Sequence, residues 1–155
     1  MIVAIERLGM ENAGLALEMV LCLLTELGEE GDELGTLDSS KVLEAWSRSR
    51  EAVHIFVAGD LGGHPVGIMT VVESFAIYAN GSYGIINEMY VVPSHRSSGV
   101  GHQLIQAAKE FGVERKWTRV EVTAPESDRW ARTRAFYQRE GFRFAGPKLK
   151  LLLQE

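Results

Sequence analysis

The fold is decided by the stretch Asn87-Glu88-Met89-Tyr90-Val91-Val92-Pro93-Ser94-His95-Arg96-Ser97-Ser98-Gly99-Val100-Gly101. An apolar strand ends at Pro93, which has no N–H to continue a β-ladder. Arg96, Gly99 and Gly101 follow, and an amphipathic helix then begins. The first N–H groups of a helix have no partner within the helix, and they commonly bind a phosphate group. Because the glycines let the main chain approach this anion and the arginine adds a positive charge, the stretch predicts a phosphate-bearing ligand.

The composition is that of an ordinary globular domain. The 155 residues are 46% hydrophobic and 24% charged, and the formal net charge is −5. A negative net charge argues against a nucleic-acid partner. The single cysteine, Cys22, excludes an internal disulfide, and its apolar surroundings predict a buried side chain. We find no targeting segment and no apolar stretch of bilayer length, so we expect a cytoplasmic protein that does not bind membranes.

Hydrophobic spacing and turn residues predict the order of the elements. The first part should contain a strand at 2–5, a helix at 11–27, an acidic loop at 29–35 and a second helix with a cap in the stretch Leu37-Asp38-Ser39-Ser40. Strands at 53–58, 66–78 and 83–92 follow as an antiparallel meander, with a bulge or bend in the long middle strand and a hairpin at Asn80-Gly81. The last part should contain a helix from Val100 to near Gly112, a strand at 120–123, a helix at 129–140 capped by Gly141, and final strands at 142–144 and 149–153.

These elements indicate an α/β (α+β) protein. Antiparallel strands come first, and a strand–helix–strand–helix–strand half follows, which predicts a mixed, mostly antiparallel central sheet flanked by helices. No repeat, low-complexity segment or linker interrupts the chain. We therefore expect one domain over residues 1–155.

Two motifs carry a family resemblance. Residues 96–101 match the pattern R-x-x-G-x-G/A, and Ala135-Phe136-Tyr137-Gln138-Arg139-Glu140-Gly141-Phe142 is similar to F-Y-x-x-x-G-F. Together they resemble the GNAT superfamily of N-acetyltransferases, from Val53 to the end of the chain. The resemblance implies the GNAT acyl-CoA N-acyltransferase fold, acetyl-CoA as the acetyl donor, no metal, and a primary amine of a small molecule or peptide as the acceptor. It also implies direct attack in a ternary complex, and it is compatible with a homodimer.

The resemblance also assigns the residues that bind the cofactor. An unpaired sheet edge can hydrogen-bond the amides of a pantetheine arm like an added strand. In the family, this edge is formed where two neighbouring strands splay apart. The corresponding strands in this chain are residues 83–92 and residues 120–123. The main chain that should line pantetheine and the acetyl group is that of Met89, Tyr90, Val91 and Val92. The residues expected around the pyrophosphate are Arg96, Ser97, Ser98, Gly99, Val100 and Gly101.

The resemblance further suggests two catalytic residues. Tyr137 is the candidate acid, because similar tyrosines lie near the thioester sulfur and a phenol can donate at neutral pH. Glu88 is the candidate base, directly or through a water, and on an extended strand it shares a face with Tyr90. Each residue has a plainer interpretation. Tyr137 could be a core aromatic, and Glu88 could be a solvated or ion-paired strand residue.

One departure from the family concerns the last helix. Many members carry an asparagine near the position of Trp130, where it contacts the cofactor. Arg129, Arg132 or Arg134 could contact a cofactor phosphate instead, although a solvated charged face is the commoner explanation. The four histidines show no metal-ligand spacing and are expected on the surface or in loops: His54, His64, His95 and His102.

The acceptor amine is not determined by these motifs. An acidic cluster could attract a cationic amine, or it could be a solvated loop: Glu26, Glu29, Glu30, Asp32 and Glu33. A doubly wound nucleotide-binding fold is rejected, because Leu104 stands where its fingerprint requires a third glycine. A non-catalytic acyl-CoA sensor or scaffold of the same fold stays open as the alternative function.

Overall fold

A computed structural model describes residues 2–28, 37–124 and 127–153. The chain divides into two compact units, Met1–Glu121 and Val122–Glu155. The elements are strands β1 (Ala4–Leu8), β2 (Val53–Gly59), β3 (Pro65–Ala76), β4 (Gly81–Val91) and β5 (Val120–Val122), and helices α1 (Ala13–Leu27), α2 (Ser39–Arg48), α3 (Val100–Glu114) and α4 (Ala131–Arg139). Short 3₁₀ segments span Met10–Asn12, Pro93–His95 and Asp128–Trp130. The predicted acidic loop at 29–35 lies outside the described residues.

The sheet has the strand order β1-β2-β3-β4-β5. Strands β1 to β4 pair antiparallel in sequence order, so the predicted meander is confirmed and β1 extends it. The β3–β4 connection is a hairpin in which Ala76 pairs with Gly81. Next to β4, Thr118 N donates to Ser82 O and Gly84 N donates to Arg119 O, both at 3.1 Å. Because these partners advance in the same direction along both segments, β5 joins in the parallel sense and makes the sheet mixed.

Two bulges interrupt the ladders. The first is the irregularity predicted for the middle strand, because Val66 on β3 has no partner between the pairs Ala58–Gly67 and Gly59–Pro65. The second lies on β4 and was not predicted. Thr70 is opposite Glu88 and Val71 is opposite Ile86, so Asn87 is an extra residue. A bulge of this kind reverses which face the following side chains point to.

Helices α1 and α3 cover opposite faces of this sheet. On one face, the core cluster combines Ala16 and Met19 of α1 with sheet residues that include Ile68 and Tyr90. On the other face, the ring of Phe111 in α3 packs 4.6 Å from the His54 ring and 5.7 Å from the Phe56 ring, measured between centroids. Each helix therefore contributes an apolar stripe to its own half of the core.

Local sequence explains the helix ends. The Asp38 side chain accepts a hydrogen bond from Lys41 N, which confirms the predicted cap of α2. Gly141 has a φ of 101°, and the N–H groups of Gly141 and Phe142 donate to the carbonyls of Gln138 and Tyr137. This is the Schellman pattern, so the predicted glycine cap of α4 is also confirmed. Helix α3 ends two residues later than expected and includes Gly112.

Three sequence expectations are wrong. Residues 142–144 and 149–153 form no strand, and the described leucines of the last segment are largely exposed, because no β-ladder holds them. Cys22 is exposed, because the buried stripe of α1 runs through Ala13, Ala16 and Met19 and turns away from it. His54 is 4% exposed rather than on the surface, because its strand is covered by α3. Among the described residues, no helix is long and apolar enough to cross a membrane.

Candidate functional site

The loop between β4 and α3 has an unusual backbone. Ser97 has a φ of 60° and Gly99 a φ of 90°, so two of its residues are left-handed. Gly99 is the N-cap residue of α3, and a glycine has no side chain with which to cap the first turn. Glycine suits this position because a side chain would be strained at a positive φ. A left-handed residue directly before a helix is the kind of backbone from which anion sites are built.

Arg96 fixes this loop to two other elements. Its Nε donates to Val91 O at 2.8 Å, and its Nη2 contacts Glu26 Oε1 at 2.7 Å. Its guanidinium carbon also lies 5.5 Å from the centre of the Tyr90 ring. The side chain of Arg96 is about half exposed. The predicted positive charge thus lies beside the loop, where a carboxylate of α1 partly neutralises it.

Glu88 lies one residue after the β4 bulge. Gly84, before the bulge, faces α3, because a Cβ there would lie 2.3 Å from the Trp117 ring that packs on Phe111. Tyr90, after the bulge, packs on the α1 side with Ile68. Residues 84 and 90 would share a face in a regular strand, so the extra residue Asn87 brings Glu88 and Tyr90 to the α1 face. The predicted common face of Glu88 and Tyr90 is confirmed.

The Glu88 side chain is held by Thr70 of β3. Thr70 Oγ1 donates to Glu88 Oε2 and accepts from Glu88 N at 3.1 Å. Burial raises the pKa of the Glu88 carboxyl, and the hydrogen bond from Thr70 opposes that rise. Among the described residues, no cation forms an ion pair with this carboxylate. An incompletely solvated acid with a raised pKa and no counter-ion has the properties of a proton acceptor.

The other residues expected to line the donor are on the same strand. Met89 pairs with Met69, Tyr90 with Ile68 and Val91 with Gly67, so β3 occupies one edge of this segment. Tyr90 is 8% exposed, and burial together with the nearby Cys22 and Glu26 raises the pKa of its phenol. The splay of β4 from β5 stays a prediction.

Tyr137 belongs to the second unit. It lies on α4, is 8% exposed and packs its ring 5.2 Å from Phe136 and 5.5 Å from Phe142. Burial raises the pKa of Tyr137 to about 12. The residue therefore keeps its proton at neutral pH and can donate a hydrogen bond. Its role as the acid stays a prediction.

The region of the missing asparagine is also in this unit. Trp130 ends a short 3₁₀ segment, and the Arg129 guanidinium lies 5.2 Å from the centre of its ring. Arg134 Nη1 donates to Ser127 O at 2.7 Å. These contacts occupy two of the arginines proposed as substitutes for the asparagine.

Sequence reasoning did not identify Thr70 as part of this site. In a regular antiparallel ladder that starts at the hairpin pair Ala76–Gly81, Thr70 would lie opposite Asn87. The bulge moves the pairing by one residue, to Glu88. No residue in this segment signals a bulge by itself, because Asn87 is neither a glycine nor a proline. Among the described residues there is no cluster of three or more metal-ligating side chains.

The profile of the Acetyltransferase (GNAT) domain matches residues 51–144. The chain belongs to the GNAT acetyltransferase family. The match includes the strand with Glu88, the glycine loop and the helix with Tyr137. An uncharacterized N-acetyltransferase from Archaeoglobus fulgidus is 29% identical to this GNAT chain over 99 residues, which are 63% of this chain and 65% of the relative. The match thus spans slightly less than two thirds of that relative's length.

Solved structures have the same GNAT fold. An aminoglycoside acetyltransferase from an uncultured soil metagenomic sample gives a TM-score of 0.80 at 18% identity, over 99% of this chain and 100% of that one. A ribosomal-protein-alanine N-acetyltransferase from Brucella melitensis gives 0.77 at 18% identity, again over 99% and 100%. Identities this low support the fold alone. The predicted fold class is confirmed.

Proposed function

We propose that this GNAT chain is an N-acetyltransferase that transfers the acetyl group of acetyl-CoA to a primary amine of a small molecule or peptide, by direct attack in a ternary complex. The observation that carries the proposal is the arrangement of β4, its loop and α3. The strand holds Glu88 on the face that α1 covers, and the following loop has the left-handed Gly99 as the N-cap residue of α3. One continuous segment would thus supply both the proton acceptor and the anion site.

The loop fits the diphosphate of coenzyme A. Main-chain N–H groups around residues 97–101 would hold the phosphates, since Gly99 adds no side chain and its left-handed φ opens the turn. Arg96 would add positive charge at the edge. The main chain of Met89, Tyr90, Val91 and Val92 would lie along pantetheine, as the family pattern implies.

The residues of the chain would act on the attacking nitrogen and on the departing sulfur. Acetyl-CoA supplies an activated carbonyl carbon, and the amine nitrogen bonds to that carbon as the carbon–sulfur bond breaks. Glu88 would accept the proton that the amine loses, directly or through a water. Tyr137 would donate a hydrogen bond to the departing sulfur, since its phenol stays protonated at neutral pH. Coenzyme A would leave as the thiolate and would take up its proton from water.

An acceptor that arrives as an ammonium ion suits this site. Glu88 has no cationic partner among the described residues, although an incompletely solvated carboxylate gains from one. Similar folds occur in an aminoglycoside acetyltransferase and in a ribosomal-protein-alanine N-acetyltransferase. Candidate acceptors are therefore polycationic small molecules and peptide N-termini.

Two measurements on the purified chain test the proposal. Calorimetry with acetyl-CoA should give saturable binding. A thiol-release assay with an aminoglycoside, a polyamine and a peptide with N-terminal alanine should then identify an acceptor. Glu88→Gln should lower kcat roughly 100-fold or more, which is the usual contribution of a general base, with little change in the Kd of acetyl-CoA.

Glu44→Gln is the matched control, because Glu44 is an exposed carboxylate of α2 that pairs with Arg48. It should retain full turnover. Binding of acetyl-CoA without turnover on any amine would favour the non-catalytic sensor. Absence of binding would contradict both functions.

A further inference from the structure

The β4 bulge gives Glu88 a specific partner on the neighbouring strand. Thr70 is 8% exposed and lies directly opposite Glu88 in the β3–β4 ladder. A regular ladder, continued from the pair Val71–Ile86, would have paired it with Asn87. Bulges commonly redirect a side chain in this way next to active sites.

Two hydrogen bonds join Thr70 and Glu88. The Thr70 hydroxyl accepts from Glu88 N at 3.1 Å and donates to Glu88 Oε2. The first bond orients the hydroxyl, so that its single proton is directed at the carboxylate. Threonine is also stiff about χ1, because its Cβ is branched. The pair therefore fixes the carboxylate of Glu88 more firmly than either bond alone.

The two carboxylate oxygens consequently have different roles. Oε2 accepts from Thr70, whereas Oε1 has no hydrogen-bond donor among the described residues. We infer that Thr70 is a positioning residue for the acyl transfer proposed above, and that it makes Oε1 of Glu88 the oxygen that accepts the proton of the amine. The inference rests on the proposed function for its catalytic part and on this hydrogen-bond pair for its structural part.

The same hydroxyl keeps the carboxylate charged. A donor to Oε2 stabilises the ionised form of Glu88 against its burial, because a hydrogen bond to the charged form lowers the pKa. Removing the donor should therefore raise the pKa of Glu88. The acid limb of the activity profile should move to higher pH. The same substitution also removes the acceptor of Glu88 N, so variants that keep the hydroxyl are needed for comparison.

Thr70→Val tests this inference, because valine keeps the branched shape and lacks the hydroxyl. Two readouts apply: the dependence of kcat/KM on pH, and the titration of the Glu88 carboxyl followed by carbon-13 NMR, assigned with Glu88→Gln. We expect the acid limb and the Glu88 titration to move together to higher pH. We also expect kcat/KM at pH 7 to fall roughly 10-fold, the typical value of a hydrogen bond to a charged group.

Thr70→Ser should restore both readouts, because serine keeps the hydroxyl. Thr118→Val is the matched control, since the Thr118 hydroxyl donates to Ala79 O and has no link to Glu88. It should leave the Glu88 titration unchanged. If Thr70→Val fails to fold, the pair Thr70→Ser and Thr70→Ala, which differ by the hydroxyl alone, gives the same comparison.

An unmoved Glu88 titration and an unmoved acid limb in the hydroxyl-free variants would overturn the inference. This failure differs from a failure of the proposed function. Full activity of Glu88→Gln, or no transfer to any amine, would remove the catalytic proposal. The NMR titration would still decide whether Thr70 controls the ionisation of Glu88.

Discussion

Tyr137 is a phenol that holds its proton firmly. Burial raises its pKa to about 12, whereas a thiol has an ordinary pKa of about 8.5. In the reaction proposed above, complete proton transfer from this phenol to a thiolate would therefore be uphill, so the role we propose for Tyr137 is a hydrogen bond to the charge that develops on sulfur. Such a bond is stronger in the transition state than in the ground state.

Tyr137→Phe should consequently lower kcat roughly 10- to 100-fold and leave the Kd of acetyl-CoA nearly unchanged. Steady-state kinetics and calorimetry on the same preparation measure both quantities. If kcat of the wild-type chain falls on the basic side of its pH profile below pH 10, the same fall should be seen in the variant, because the Tyr137 phenol does not titrate there. Tyr78→Phe, at an exposed tyrosine of the β3–β4 hairpin, is the control. Unchanged turnover in Tyr137→Phe would remove the residue from the acid role.

An ion pair joins helix α1 to the glycine loop. Glu26 Oε1 lies 2.7 Å from Arg96 Nη2, and both side chains are partly exposed. An exposed pair of this kind contributes little to stability. Its effect on an anionic ligand is larger, because Glu26 neutralises the cation beside the phosphate loop and adds a like charge to the ligand.

Arg96→Ala and Glu26→Gln should therefore change the affinity for acetyl-CoA in opposite directions. Arg96→Ala should weaken binding by about 1.5–3 kcal/mol, the range for a lost charge-assisted hydrogen bond. Glu26→Gln should strengthen binding, since Arg96 keeps its hydrogen bond to Val91 O while the opposing carboxylate is gone. Calorimetry at low and high salt measures both effects, and both should shrink at high salt.

The matched control is Glu44→Gln, an exposed carboxylate on α2. A weaker Kd in Glu26→Gln would contradict this account and would show that the ion pair mainly orients the loop. An unchanged Kd in Arg96→Ala would remove Arg96 from the phosphate site.

Elements with a strong local signal were predictable across the molecule. The Asp38 cap, the Gly141 cap and the Asn80-Gly81 hairpin each depend on residues close together in sequence, and all three are confirmed. The glycine loop was predictable for the same reason. Its helix follows directly, and Gly99 has the left-handed backbone that glycine favours.

Features that depend on tertiary pairing were not predictable. The Asn87 bulge has no local signal, and without it Thr70 cannot be matched to Glu88. His54 was expected on the surface, but Arg7, 47 residues away, donates to its Nδ1 and α3 covers its ring. The final strands were predicted from composition, and composition does not supply a partner strand.

The pH dependence of folding should follow from His54. The His54 ring is 4% exposed, Arg7 Nη2 lies 2.7 Å from its Nδ1, and its Nε2 has no hydrogen-bond partner among the described residues. Burial lowers the pKa of His54, the nearby Arg7 and Arg115 lower it further, and Glu73 and Glu51 oppose them. These are the charged groups that β1, β3 and the ends of β2 and α3 bring to the ring.

The sign of the effect follows from proton linkage. The unfolded chain protonates His54 near pH 6.5, whereas the folded chain does so only at lower pH, so the unfolded state binds more protons between the two values. The contribution of His54 to the free energy of unfolding should therefore be greatest above pH 6.5 and should be lost as the pH drops below it. Urea unfolding at pH 7.5, 6.5 and 5.5, followed by tryptophan fluorescence, should show this loss in the wild-type chain. His54→Gln should flatten the dependence, and His64→Gln, at an exposed histidine, should not. An equally steep loss in His54→Gln would assign the pH dependence to other groups, because glutamine cannot take up the proton.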